Sequence, residues 1–350
     1  MSVTDTTRFT RARKLGERET IRSLLPYLWP SGETELRVRV VAAMACLIVA
    51  KLANVYVPIL YKHAVDALGA TGAAAVALPV GLILAYGLAR VLALAFGELR
   101  DAIFAKVAQR SIRSVALNVF RHLHALSLRF HLERQTGGLS RSIERGTRAI
   151  QTLLSFMLFN ILPTLLEILL VCAILWSMFD VWFALATFLT VVAYIAYTLV
   201  ITEWRMKFRR EMNEMDNQAN TKAIDSLLNY ETVKYFGNED HEARRYDGAL
   251  RSYESAAVRS QTSLSLLNIG QAAIISVGLT IVMYMAASGI MAGTMTLGDF
   301  VLVNTYLLQL YQPLNFFGFV YREIKQSLAD MERLFGLLEQ HREVADAPDA

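Results

Sequence analysis

The chain has 350 residues, of which 54% are hydrophobic and only 19% charged, with a mean hydropathy of +0.36. A soluble domain carries about a quarter charged residues, so these values exclude a disordered chain and argue against an ordinary cytosolic enzyme. The net charge of +4 is too small to mark a nucleic-acid binder, and the two cysteines, Cys46 and Cys172, lie in apolar runs where they build neither a metal cluster nor a disulfide framework.

Residues 1–19 are rich in Arg and Thr and resemble a mitochondrial transit peptide, but Asp5, Glu17 and Glu19 interrupt the acid-poor pattern. The segment TIRSLLPYLWPS (20–31) follows. Tyr27 and Trp29 suit the headgroup level and Arg22 can meet lipid phosphates, which predicts an interfacial elbow helix.

A membrane span needs about 20 mostly apolar residues. Six stretches qualify: 40–61, 73–96, 153–178, 181–201, 264–287 and 300–321. The segments on one side of these spans (up to residue 39, 98–151, 202–263 and from 322 onward) hold 32 of the 35 Lys and Arg. The other three, Lys51, Lys62 and Arg90, lie within or at the edge of spans, and the connections near Asp66, Asp180 and Gly293 contain none. This asymmetry places both termini and both long loops in the cytoplasm.

The two long loops are not Pro/Gly/Ser-rich, and no proline occurs between Pro163 and Pro313. Loops of that length carry structure of their own. The simplest expectation is that the spans continue as helices into the cytoplasm, turn and return. Pro58, Pro163 and Pro313 are expected to kink their helices. Lys51, Arg90 and Glu167 are costly inside a span. A structural role within the bundle is the expectation for all three.

Arg205 and Arg209, at i and i+4, share a helix face after the fourth span. Asn268 and Gln271 are i, i+3 on the fifth. Asn160 adds an amide in the third, Gly318 permits close approach in the sixth, and Arg322 ends it. Guanidinium groups and amides of this kind suit a ligand with carboxylates and peptide groups. Read from charge alone, the arginines are snorkelling anchors, and the amides bond neighbouring helices.

The stretch AIDSLLNYETVKYFGNE (223–239) resembles the second cytoplasmic loop of ABC exporter transmembrane domains, with most similarity to the mitochondrial iron–sulfur-export and heavy-metal-tolerance subfamily and its bacterial relatives. LSLRFH (126–131) and TGGLS (136–140) resemble the first-loop coupling region, TLGDF (296–300) the entry to the sixth helix, and LNFFGFVYR (314–322) its cytoplasmic end. The likeness runs from about residue 25 to residue 338. It implies an all-α membrane protein of six transmembrane helices extended into long cytoplasmic helical loops, paired in a domain-swapped dimer. The chain then divides into an N-terminal segment with elbow helix (1–37), the six-helix domain (38–322) and a helix end with linker (323–350).

The resemblance also implies a function. Such a domain is the membrane half of an ATP-dependent exporter of glutathione-type thiol conjugates or metal/sulfur–glutathione species. The subfamily's glutathione-type pocket uses positions that match Arg205, Arg209, Asn268, Gln271, Gly318 and Arg322, with Asn160 added from the residue chemistry. Relatives can carry a tyrosine where this chain has Ser155. Coupling to the nucleotide-binding domain falls on Phe130, His131, Thr136, Gly137, Tyr230, Glu231 and Thr232. Expected partners are membrane lipid, a second copy of the domain and a cytosolic nucleotide-binding domain, with no nucleic acid.

No Gly-Lys dipeptide occurs among the 19 glycines, so the G-x-x-x-x-G-K-[ST] phosphate cradle is missing, as is the LSGGQ signature. ATP and Mg²⁺ are therefore expected on a nucleotide-binding domain, with none bound by this chain. The residues EVADAPDA (343–350) resemble the linker before such a domain, either removed by truncation or supplied as a separate subunit. Location in a bacterial inner membrane is expected, with the mitochondrial inner membrane as the alternative. Competing readings are an exporter of lipids or hydrophobic drugs, and a secondary transporter without an ATPase.

Overall fold

The computed structural model describes residues 33–68, 74–133 and 136–340. The expected elbow helix and the C-terminal linker lie outside them. The helices are α1 (Thr34–Leu68), α2 (Ala74–His124), α3 (Leu128–Glu133), α4 (Thr136–Phe156), α5 (Leu162–Met178), α6 (Val181–Leu228), α7 (Tyr230–Tyr235), α8 (Glu239–Met291), α9 (Leu297–Leu314) and α10 (Phe317–Leu338), with a π-helical turn at Met157–Ile161 between α4 and α5.

Five helices among the described residues are long and apolar enough to cross a membrane: Thr34–Leu68, Pro79–His124, Ser140–Met178, Val181–Leu228 and Glu239–Met291. The sixth expected stretch, 300–321, is divided between α9 and α10. Pro313 explains the division: it supplies no backbone N–H to the helix ladder, and the helix stops one residue later, at Leu314. Pro58, by contrast, is carried inside α1 without breaking the helix. Near Pro163 the third stretch widens instead of breaking. The Leu162 N–H donates to Met157 O, and the Thr164 hydroxyl donates to Asn160 O at 2.6 Å, so a side chain satisfies one carbonyl of the wide turn.

The chain forms two compact units. The first comprises Met1–Val171 and Met295–Ala350. In it α1 and α2 run antiparallel, as their pairings show: Tyr61 with Tyr86 near one end, Glu35 with Lys106 and Glu33 with Arg110 at the other. Beyond the apolar segments, α2, α4 and α10 pack through Val115, Val119, Ile150, Leu153, Met331 and Leu334. The i, i+3/i+4 spacing of Leu328, Met331, Leu334 and Phe335 puts them on one face of α10, which α4 meets with Ala149, Ile150 and Leu153. Gly146 makes this approach possible, since a Cβ there would lie 2.6 Å from Leu334 Cβ.

The outer end of α9 is tied to α1. Thr296 caps α9 in a capping box with Asp299. Asp66 accepts from the Gly298 N–H at 2.9 Å and from the Thr296 hydroxyl at 3.0 Å, and Lys62 pairs with Asp299 at 2.5 Å. Lower on the same interface, the Tyr306 hydroxyl donates to Val55 O at 2.7 Å.

The second unit is Cys172–Thr294. Its α6 and α8 form a long antiparallel hairpin closed by α7. Four pairings fix the register: Thr198 with Gln271, Tyr197 with Leu266, Arg205 with Ser263 and Glu211 with Arg259. At 48 and 53 residues these helices reach about 70–80 Å, well over twice a hydrocarbon core about 30 Å thick. The expected helical stalks are therefore present. Gly237, at φ +58°, ends α7, and Gly293, at φ +73°, ends α8, both in the left-handed region that glycine adopts without strain.

Candidate functional site

In the second unit, Arg205 and Arg209 share one wall of a 490 Å³ cavity with Met212, Ser260, Gln261 and Leu264. The i, i+4 spacing on α6 puts both guanidinium groups there. Arg205 is buried (7% exposed), and its Nε donates to Ser263 Oγ at 3.2 Å. Ser263 in turn donates to Ser260 O at 2.6 Å, which leaves its lone pairs toward the arginine. Arg209 is exposed. A buried and an exposed guanidinium beside hydroxyl and amide groups can receive carboxylate and peptide groups together.

Gln271 is buried and its amide donates to Thr198 Oγ1 at 2.8 Å, so it is engaged in joining α8 to α6. Asn268 is exposed and does not line the arginine cavity. The remaining expected residues belong to the first unit. Asn160 lies in the π-helical turn, Gly318 is buried in α10, and Arg322 is half-buried one turn further along α10. The structure thus gathers Arg205 and Arg209 and assigns Asn160, Gly318 and Arg322 to the other unit. Ser260, Gln261 and Ser263 escaped the sequence reading. They sit at the inner end of the fifth span, where polar residues are ordinary and carry no signal of their own.

A second polar centre lies in the first unit. Glu167, only 3% exposed, accepts from Lys51 Nζ at 2.6 Å, Asn54 Nδ2 at 2.9 Å and Gln309 Nε2 at 2.5 Å. Three helices, α1, α5 and α9, meet on one carboxylate. These residues line a 560 Å³ cavity together with Tyr61, Tyr86, Arg90, Thr305 and Gln312. The expected structural role suits Lys51 and Glu167. Asn54 was legible in retrospect, three residues after Lys51 on the same face. Gln309 is a polar residue in a span whose partner lies 142 positions away.

The candidate coupling residues are at the helical tips. Phe130 and His131 lie on α3, their rings edge to face at 5.4 Å, and a His131 ring nitrogen bonds Leu123 O at 3.0 Å. Thr136 and Gly137 open α4. Tyr230, Glu231 and Thr232 form the first turn of α7, with Tyr230 exposed (57%) beside the exposed Leu227, Leu228, Tyr235 and Phe236. Lys234 donates to Glu239 at 2.6 Å. That bond raises the amine and lowers the carboxyl from their ordinary values and fastens α7 to the first turn of α8.

Long helical stalks, a polar cavity where they leave the spans and apolar tips are now in place. Residues 40–314 match the family described as the ABC transporter transmembrane region. The chain belongs to that family. It is 49% identical over 336 residues to the zebrafish (Danio rerio) mitochondrial iron–sulfur clusters transporter ABCB7, covering 93% of this chain and 45% of that protein. It is 46% identical over 352 residues to the mitochondrial iron–sulfur clusters transporter atm1 of Aspergillus fumigatus, covering 99% and 48%. A solved structure of a bacterial Atm1-family ABC exporter with ATP bound is similar at 48% identity and a TM-score of 0.67, covering 90% of this chain and 55% of that one. The chain spans about half the length of the curated relatives it matches. It is a multi-pass membrane protein with the transmembrane architecture of an Atm1/ABCB7-type ABC exporter.

Proposed function

We propose that this chain is the membrane half of an ATP-driven exporter that moves glutathione-type thiol conjugates, or metal/sulfur–glutathione species, away from the side of the membrane that holds its stalks. The single observation that carries the cargo is the shared cavity of Arg205 and Arg209, with Arg205 held by Ser263. Glutathione derivatives offer carboxylates for the two guanidinium groups and peptide groups for Ser260 and Gln261. Kinship with iron–sulfur clusters transporters supports a thiol- or metal-linked cargo. Asn268, Gln271, Gly318, Arg322 and Asn160 are proposed as further contacts, Gln271 after release from Thr198.

The tips that carry Phe130, His131, Thr136, Gly137, Tyr230, Glu231 and Thr232 are proposed to dock on a nucleotide-binding domain. ATP and Mg²⁺ are assigned to that domain, because the 350 residues contain no Gly-Lys dipeptide with which to build a phosphate cradle. Two copies assemble. ATP then favours one bundle conformation over the other, and the stalks transmit that preference as a coupling free energy. A bacterial inner membrane is the proposed location, with the mitochondrial inner membrane as the alternative; the solved relative is bacterial and the curated relatives are mitochondrial.

The test uses the full exporter, with its nucleotide-binding domain, in lipid nanodiscs. Oxidised glutathione is expected to stimulate its ATPase. A charge-assisted hydrogen bond contributes about 1.5–3 kcal/mol, so Arg205→Ala should raise the half-stimulating concentration by roughly tenfold or more. No response to any glutathione derivative removes the cargo while leaving the exporter.

A further inference from the structure

The polar cavity of the first unit contains two cations and one carboxylate. The carboxylate is already balanced. Glu167 Oε2 takes the Lys51 ammonium, and Oε1 takes the amides of Asn54 and Gln309. Arg90 is in a different position. Its Nη1 donates to the Tyr86 hydroxyl at 2.7 Å, a neutral acceptor, and among the described residues no carboxylate pairs with it. The guanidinium has five N–H donors and never deprotonates. Lys51 and Arg90 lie on one cavity, in the first and second spans, yet only Lys51 has a resident counter-ion.

An uncompensated charge within a span is expensive. A carboxylate on a neighbouring helix would remove that cost, as Glu167 does for Lys51. We propose that Arg90 anchors a carboxylate-binding subsite, in which an anionic group of the cargo supplies the missing counter-charge by a bidentate pair. The surroundings define the rest of the ligand. Tyr61 and Tyr86, with ring centroids 6.0 Å apart, wall one side of the subsite, Gln312 offers an amide, and Leu308 and Phe316 are apolar. The class is therefore an amphipathic carboxylate with peptide or aromatic groups. Glu167 acts as a gatekeeper through Lys51: while the pair stands, its charge is cancelled, and without Lys51 a bare carboxylate faces the same cavity and repels the anion.

Its lining shares no residue with the cavity of Arg205 and Arg209, and its link to export rests on the cargo proposed above. The full exporter, nucleotide-free in nanodiscs, is titrated calorimetrically with oxidised glutathione, with its fully esterified form, and with p-aminohippurate, a soluble aryl-amide carboxylate. Arg90→Ala is expected to weaken oxidised glutathione at least tenfold, and Arg90→Lys to restore part of that loss. The ester should bind Arg90→Ala and wild type alike, and Lys51→Met should weaken the two acids but not the ester. Wild-type affinity for both acids in Arg90→Ala and Arg90→Lys overturns the subsite. A wild type that ignores oxidised glutathione but binds p-aminohippurate with a tenfold dependence on Arg90 removes the cargo reading and keeps the subsite. If neither acid depends on Arg90, the subsite is wrong even where glutathione stimulates the ATPase.

Discussion

At the scale of single residues, charges buried in a bundle are held by what surrounds them. Glu167 has three donors from two other helices, and removing one leaves a carboxylate that hydrocarbon cannot solvate. Lys51→Met should therefore destabilise the domain by about 3 kcal/mol, near the lower end for a broken buried pair because the lysine is 20% exposed. Lys51→Met combined with Glu167→Gln should recover much of that loss. Thermal unfolding in a fixed detergent measures both, and two losses that simply add would show that the pair is not a unit. The charges of Lys51, Arg90 and Glu167 were conspicuous in the sequence because a span tolerates few of them. Their sorting into one closed pair and one open cation was not, since residues 51 and 167 carry no local sign of each other. The same holds for Arg205. Its spacing from Arg209 was readable along one helix, while its bond to Ser263 depends on the register of two helices.

Elements behave differently, because most of their information is local. The stalk helices were legible from apolar length and from the absence of proline between Pro163 and Pro313. The break after Pro313 was expected as a kink, but the π-helical turn before Pro163 was not. A wide turn adds no distinctive residue, and its stabilising bond from Thr164 to Asn160 resembles any helical threonine back-bond. The start of α9 is the element boundary with the most anchors. Thr296→Ala removes a cap and a bond to Asp66 together, so a loss of about 1–2 kcal/mol is expected from thermal unfolding. Thr296→Ser should stay close to wild type. The packing of α4 on α10 gives a sharper contrast. Gly146→Ala drives a Cβ against Leu334 Cβ, which cannot rotate away, and should cost about 1–3 kcal/mol. Gly248→Ala, on α8 with open space around it, should be neutral or slightly stabilising.

On the scale of the whole molecule, the distribution of charge decides which way the stalks point. The segments joined through the tips of the long helices hold nearly all the Lys and Arg, and the short connection after Gly293 holds none. If the positive-inside rule governs insertion, the α7 turn lies in the cytoplasm and the α8–α9 turn on the opposite face. Asn238 and Ala292 are exposed at these two ends of α8, about 80 Å apart at 1.5 Å per residue. Cys46 is buried and Cys172 lies in an apolar helix, so the background thiols are shielded from a charged reagent. Asn238→Cys, expressed in a bacterial membrane, should react with a membrane-impermeant maleimide in inside-out vesicles and be silent in right-side-out ones. Ala292→Cys should show the reverse. Both thiols labelled from one face would mean that α8 does not cross, and the reversed pattern would turn the tips away from any cytosolic ATPase. Because the proposed export direction, the docking of the tips and the cargo's point of entry all assume this orientation, the pair of thiols tests them jointly before any substrate is chosen.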